Sequence, residues 1–313
     1  MIKVKSLRVD YENVTAVDDL DLEIPAGQIY GLVGPNGAGK TSTLKAIAGI
    51  IEPTYGEIEI NGFDLELQTY QALQQMAFMP DFSPVYENLT VGEYLQVFAA
   101  AYLIKEPQRT KIAREWAERV NIQEKWNAYI KELSRGMRQR LVLAKTLLSD
   151  PKVILLDEPA SGLDPIARIE LRTMLKDIAS KNHSIMISSH ILTELSDLCN
   201  AIGIMEKGHM VISGSLETIR AAIGIKNQLM IHSPSIDEHA KQTLLGVLAG
   251  FGQVVEPKET RPGKFCCGFS GNETQAAELL SSLMHNNISI SQFYMKEADM
   301  EDIFLKIGAK EIS

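Results

Sequence analysis

Gly34-Pro35-Asn36-Gly37-Ala38-Gly39-Lys40-Thr41 lies between a short apolar run, Gln28–Val33, and a stretch where Leu44, Ile47, Ala48 and Ile51 recur at helical spacing. All eight positions fit G-x-x-x-x-G-K-[ST], in the strand-loop-helix setting that the pattern requires. A polyphosphate needs many donors close together. Glycines let the backbone curl tightly enough to present its N–H groups. The helix that begins after Gly39 adds its positive end. Lys40 reaches the β- and γ-phosphates as a point charge, and the Thr41 hydroxyl is placed to ligate Mg²⁺. A dinucleotide fingerprint does not fit, because Gly37-x-Gly39 has no third glycine three residues on.

A second run, Val153-Ile154-Leu155-Leu156-Asp157-Glu158, reads as a central parallel strand ending in two carboxylates. Neighbours on a strand point to opposite sides, so the pair divides its work. Asp157 is suited to hold Mg²⁺ through water. Glu158 is suited to take a proton from the attacking water as general base.

The chain has 313 residues, a length that fits about two domains. Lys and Arg number 31 against 40 Asp and Glu, giving a net charge of −9, so no nucleic-acid partner is expected. The longest apolar runs, Val97–Ile104 and Leu244–Phe251, fall well short of the ~18 residues of a membrane span. The first twelve residues interleave charges with apolar positions and contain no signal-peptide core, so a cytoplasmic protein is expected. Cys199, Cys266 and Cys267 offer no CxxC spacing, no disulfide framework and no structural metal site. Cys266 and Cys267 read as strand residues on opposite faces.

The rest of the chain alternates. Ile2, Val4 and Leu7, then Leu20, Leu22 and Ile24, read as antiparallel strands, and Pro25-Ala26-Gly27 as a turn. Thr90-Val91-Gly92-Glu93 has the form of a capping box and opens a helical region running to about residue 133. Further helices are expected over Gln108–Val120 and from Ser134 to about Leu148. Helix Pro165–Lys181, strand Ile185–Ser188 and helix Ile191–Leu198 follow, then a hairpin from Ile202–Glu206 and Met210–Ser213. After about Gly224 the order becomes β-α-β-β-α-β: Gln228–Ile231, Asp237–Gly250, Val254–Glu256, Lys264–Phe269, Thr274–His285 and Ile288–Tyr294. That order fits a small α+β ferredoxin-like domain. A last helix is expected over Met300–Ile307.

Two motifs alone would fit any phosphate-loop NTPase. A third is more specific. Leu133-Ser134-Arg135-Gly136-Met137 resembles the LSGGQ signature of ABC ATPases, Ser161-Gly162-Leu163-Asp164 resembles their D-loop, and His190 their H-loop histidine. The resemblance covers residues 1 to about 220, in the family's motif order, and is closest to ATP-binding subunits of bacterial drug and polysaccharide exporters. It implies an α/β P-loop fold: a RecA-like core with an antiparallel β subdomain and a helical subdomain, about 82–150, within a domain of 1–222. An accessory domain would occupy 223–313, and Asp299–Leu305 resembles the closing helix of related exporters.

The resemblance also implies roles. Tyr11 would stack on adenine, and Gly34, Pro35, Asn36, Gly37, Ala38, Gly39, Lys40, Thr41 and Ser42 would hold ATP. Ser134, Gly136 and Asp164 would act in trans, on ATP held by an opposite subunit. His190 would contact the γ-phosphate and orient the water. Two copies, or this chain and a paralogous ATPase chain, would meet head to tail. A separate transmembrane permease would dock near Phe82–Leu89, placing the chain at the inner face of the membrane. There are departures. Asp81 stands where the family's Q-loop carries Gln, and is expected to ligate Mg²⁺ directly or through water. Arg135 stands at a signature glycine. Met137 replaces the signature Gln and cannot donate a side-chain hydrogen bond.

The alternative is a soluble, non-transport ABC-type ATPase. Translation members usually carry two cassettes in one chain, and DNA-repair members a long coiled coil that residues 81–133 cannot house. A GTP-binding switch should show N-K-x-D, which does not occur.

Overall fold

The computed structural model describes residues 1–191, 195, 197–223, 227–234 and 236–296. The chain divides into two units, Met1–Leu216 and Glu217–Ser313.

The first unit starts with a hairpin of β1 (Ile2–Tyr11) and β2 (Val14–Ile24). Ile2, Val4, Leu7 and Val9 point inward from β1, and Leu20, Leu22 and Ile24 from β2. This alternation is that of a sheet with one covered face. Strand β3 (Ile29–Val33) then leaves for a second sheet, while β4 (Tyr55–Ile60) returns to pair with β1 and carries the two-residue β5 (Phe63–Asp64). The first sheet has the order β2-β1-β4-β5.

The second sheet is built from β3 with β6 (Met76–Met79), β7 (Val153–Asp157), β8 (Ser184–Ser189), β9 (Ala201–Glu206) and β10 (His209–Gly214). Its order is β10-β9-β3-β8-β7-β6, and every pairing is parallel except β9 with β10. Strands β3, β7 and β8 are buried at every position, which is why Val153–Leu156 and Ile185–Ile187 read as continuous apolar runs. Helix α1 (Lys40–Ile47) buries Leu44, Ala46 and Ile47 in one core with Leu7 and Leu20 of the first sheet and Leu32, Leu155 and Met186 of the second. The phosphate-loop helix is thereby held from both sheets.

Helix α2 (Thr69–Gln74) precedes β6. Helices α3 (Val91–Ala101), α4 (Gln108–Arg119) and α5 (Arg135–Leu147) lie between β6 and β7, with two 3₁₀ turns, Gln123–Lys125 and Ile130–Glu132. The expected capping box is present: Glu93 N–H donates to the Thr90 hydroxyl at 3.2 Å, and Thr90 N–H to the Glu93 carboxylate at 2.8 Å. Helix α6 (Pro165–Ser180) connects β7 to β8. The periodicity and turn signals predict none of α2, β4 and β5. These elements are short, and two of them sit among glycines and turn residues.

Helix α7 (Leu216–Ile223), also not expected, falls at the division between the units. The second unit has β11 (Asn227–His232), α8 (Glu238–Gly250), β12 (Val254–Arg261), β13 (Lys264–Phe269), α9 (Glu273–His285) and β14 (Gln292–Lys296). Its sheet is wholly antiparallel, in the order β12-β13-β11-β14. With strands two and three outside strand one, and strand four on its far side, this is the ferredoxin-like arrangement. Leu244, Leu248, Leu279 and Leu283 of the helices share a core with Leu229, Ile231, Phe265, Cys267 and Phe269. Cys266 lies outside that core and its Sγ contacts the Gln228 side chain at 3.6 Å, as alternation on β13 requires.

The last strand begins four residues later than expected. Ile288 and Ile290 alternate as strand positions do, but both pack against the helix-covered core from the connection before β14. Burial there comes from the loop's path and not from a ladder. Residues 192–194 and 196 of the expected Ile191–Leu198 helix, and the expected closing helix Met300–Ile307, lie outside the described residues.

Gly92 tests the helical region. Alanine in a helix normally gains about 1 kcal/mol over glycine. A Cβ on Gly92 would stand 2.5–2.9 Å from Trp126 ring atoms. Gly92→Ala is therefore expected to lose about 1–3 kcal/mol through overpacking. Thermal unfolding measures this, and a raised midpoint would refute the packing.

Candidate nucleotide and catalytic site

Backbone geometry at the phosphate loop explains its glycines. A Cβ on Gly34 would run into the Met205 carbonyl of β9, and one on Gly39 into the Ala16 carbonyl of β2. Gly39 also has φ +103°, a region that favours glycine. The loop is thus wedged between the two sheets, and α1 starts directly from it.

Lys40 is buried, and its Nζ donates to the carbonyls of Gly34 at 2.7 Å and Pro35 at 3.1 Å. Burial lowers its pKa, while nearby Glu158 and Asp157 pull it back up. An ammonium in this position gains from any further anion brought to the loop.

Asp157 closes β7 and is buried. Ser188 on the neighbouring β8 donates its hydroxyl to Asp157 Oδ1 at 2.5 Å, and Thr41 donates to Oδ2 at 2.9 Å. The Glu158 N–H donates to the same Ser188 oxygen at 3.0 Å. Glu158 leaves the strand at φ +49°, a left-handed conformation uncommon for a non-glycine residue. That turn takes its carboxylate away from Asp157 and towards His190, whose Nδ1 lies 2.9 Å from Glu158 Oε2. The Glu158 side chain is 14% exposed and His190 48%, so the pair faces outward from the strand ends.

Tyr11 ends β1, is 46% exposed, and has its hydroxyl 3.3 Å from that of Ser42 on α1. One connected set of contacts therefore joins Tyr11 to Ser42, and Thr41 through Asp157 and Ser188 to Glu158 and His190. The candidate metal ligands fit a hard cation: the Thr41 hydroxyl and Asp157 carboxylate are adjacent, all-oxygen donors beside a loop built for phosphate.

The remaining expected residues make none of these hydrogen bonds. Ser134 caps α5, its hydroxyl accepting from Met137 N–H at 3.3 Å, with Gly136 in the first turn. Asp164 caps α6, accepting from Ala167 N–H at 2.9 Å. Among the described residues no hydrogen bond joins Ser134, Gly136 or Asp164 to the phosphate loop. Asp81 is exposed after β6, where it lines an open cleft of about 770 Å³ with Phe82, Ser83, Pro84 and Leu133. Ser188 was missed by sequence reasoning. Its signal was a polar residue closing the apolar run Ile185–Ser188, but only the register Asp157↔Ser188 shows what it faces.

The sequence profile of the ABC transporter family matches residues 17–161. An uncharacterized ABC transporter ATP-binding protein of Bacillus subtilis, YhaQ, is 31% identical over 310 residues, covering 99% of each chain. A Nod factor export ATP-binding protein I of Cupriavidus pinatubonensis is 29% identical over 314 residues, covering 100% of this chain and 92% of that one. Among solved structures, an ATP-binding subunit of an ABC transporter superposes with a TM-score of 0.67 at 30% identity, covering 72% of this chain and 93% of that one. The dimeric cassette MJ0796 bound to ADP and phosphate has the same fold, with a TM-score of 0.63 at 22% identity, covering 69% and 99%.

Ser188 is the joint of this site. Ser188→Ala leaves Asp157 Oδ1 and the Glu158 N–H without their partner, at an expected cost of about 1–3 kcal/mol for buried polar groups. Thermal unfolding and nucleotide titration would show a lowered midpoint and weakened binding. Unchanged values in both would remove Ser188 from this role.

Proposed function

The chain belongs to the ABC transporter ATP-binding proteins, and from that membership we propose that two copies close head to tail on ATP to drive a separate membrane permease, in the direction of export. The observation that carries the dimer is the separation just described. Tyr11, the loop Gly34–Ser42, Asp157, Glu158 and His190 form one set. Ser134 caps α5 with Gly136 in its first turn, Asp164 caps α6, and none of the three has a hydrogen bond to that set among the described residues. Helix starts present unpaired N–H groups suited to phosphate, so each chain offers half of a site.

In this reading Tyr11 stacks on the base and the loop N–H groups take the phosphates. Lys40 gains the counter-charge that its burial calls for. Thr41 and Asp157, with Asp81 from the cleft, would hold Mg²⁺, which supplies charge neutralisation on the phosphate oxygens. Glu158 accepts the proton of the attacking water. His190, with its proton on Nδ1, donates to the Glu158 carboxylate and fixes it. A paralogous ATPase chain could replace one copy. Export is supported by relatives named for Nod factor export. No helix among the described residues is long and apolar enough to cross a membrane. Relatives named as ATP-binding proteins of transporters and exporters support a permease in a separate chain and a peripheral place at the inner face. Exposed Phe82 and Tyr86 near the cleft are the docking residues of this reading. We assign 1–222 as the ATPase domain, with about 82–150 as its helical subdomain, and 223–313 as the accessory domain.

Glu158→Gln keeps the shape and removes the base. Turnover is expected to fall about 10²–10⁴-fold with ATP binding retained. Light scattering after size exclusion should then show a monomer-to-dimer shift on adding Mg-ATP. Fast residual turnover would remove Glu158 from its role, and no shift would refute a homodimer. For Asp81→Gln, an altered metal dependence of turnover is expected. An unchanged rate and metal dependence would exclude Asp81 as a ligand.

A further inference from the structure

Helix α5 reaches across to the connection that carries Glu158 and Asp164 in its own chain. The Arg135 side chain lies over Gly162, where a Cβ would fall 2.7 Å from Nε and 3.0 Å from Cζ. Its Nη2 stands 3.5 Å from the Ser161 hydroxyl. One turn further, Gln139 Nε2 donates to the Pro159 carbonyl at 3.4 Å. Arg140 Nη2 pairs with Glu170 on α6 at 3.1 Å. Leu163 closes the joint from below, ordinary contact distance from where a Gly136 Cβ would be. Three successive polar contacts therefore hold Pro159, Ser161 and Glu170 to the same helix.

Gly162 serves this contact twice. Its φ of +75° is a conformation that favours glycine, and the missing Cβ leaves the place that Arg135 fills. Arg135 itself is a cation in the first turn of a helix, where the dipole disfavours it. It also replaces a signature glycine. Its planar head resting on the loop gives this substitution a physical purpose.

We propose that Arg135, with Gln139 and Arg140, joins the signature turn and the Pro159–Asp164 connection of one chain into a single stiff piece, so that ATP seated against Ser134 and Gly136 in one composite site sets the position of Glu158 in the other. The inference rests on the head-to-tail reading above. Arg135 is a positioning residue here: it acts through the loop and touches no nucleotide. A device of this kind couples the two sites, and the coupling must be reciprocal in binding.

The test is the ATP dependence of hydrolysis in the full chain. The wild type should be sigmoidal, with a Hill coefficient between about 1.5 and the two-site ceiling of about 2. Arg135→Gly should bring it to about 1, and Arg135→Lys should keep part of it. Ser161→Ala added to Arg135→Gly should change nothing further, since both break one contact. A hyperbolic wild type overturns the inference. So does an Arg135→Gly chain that loses thermal stability or kcat but keeps the wild-type Hill coefficient, the mark of a merely structural residue. If the wild type neither hydrolyses ATP nor, as Glu158→Gln, dimerises on it, the composite-site reading fails and takes this inference with it. Hydrolysis and dimerisation with cooperativity intact in Arg135→Gly sink this inference alone.

Discussion

One buried carboxylate holds the site together. Asp157 sits buried at the end of an otherwise apolar strand, where an unpaired charge would be costly. Its two oxygens are met by hydroxyls from different elements, Ser188 on β8 and Thr41 on α1. Those two hydrogen bonds fix the phosphate-loop helix against the strand ends. The same Ser188 oxygen then receives the N–H of Glu158, so the residue that turns outward is anchored to the one that stays in. Remove this node and the loop, the acid and the histidine are no longer parts of one arrangement.

The loop is constrained just as strictly from the other side. Gly34 and Gly39 are pressed by carbonyls of β9 and β2, strands of two different sheets. The phosphate cradle is therefore a product of how the sheets meet, and not of a flexible glycine run. Lys40, folded onto the loop's own carbonyls, completes a compact cationic seat, its pKa lowered by burial and raised again by Glu158 and Asp157.

Much of this was legible in the chain because its chemistry is local. Gly34–Thr41 and Val153–Glu158 declare themselves within eight residues, and Thr90 with Glu93 closes its own capping box. The ferredoxin-like unit was legible from element order, because its hairpin and two helices leave few ways to close a four-stranded sheet. What stayed hidden depends on register or path. Ser188 matters only because β7 and β8 are parallel neighbours with Asp157 opposite it. Ile288 looks like a strand residue until the loop carrying it is seen to bend into the core. The hold of Arg135 on Gly162 spans residues 27 positions apart, and neither side chain advertises the other.

The three cysteines are all free and all buried. Burial pushes the Cys199 and Cys267 thiols up to about 12, far from any thiolate population at neutral pH. All three native thiols are covered in the folded protein, which shields them from maleimide. A cysteine introduced at an exposed place such as Phe82 would be the first thiol to react, which makes the native chain ready for site-specific fluorophores and spin labels without stripping its own sulfur.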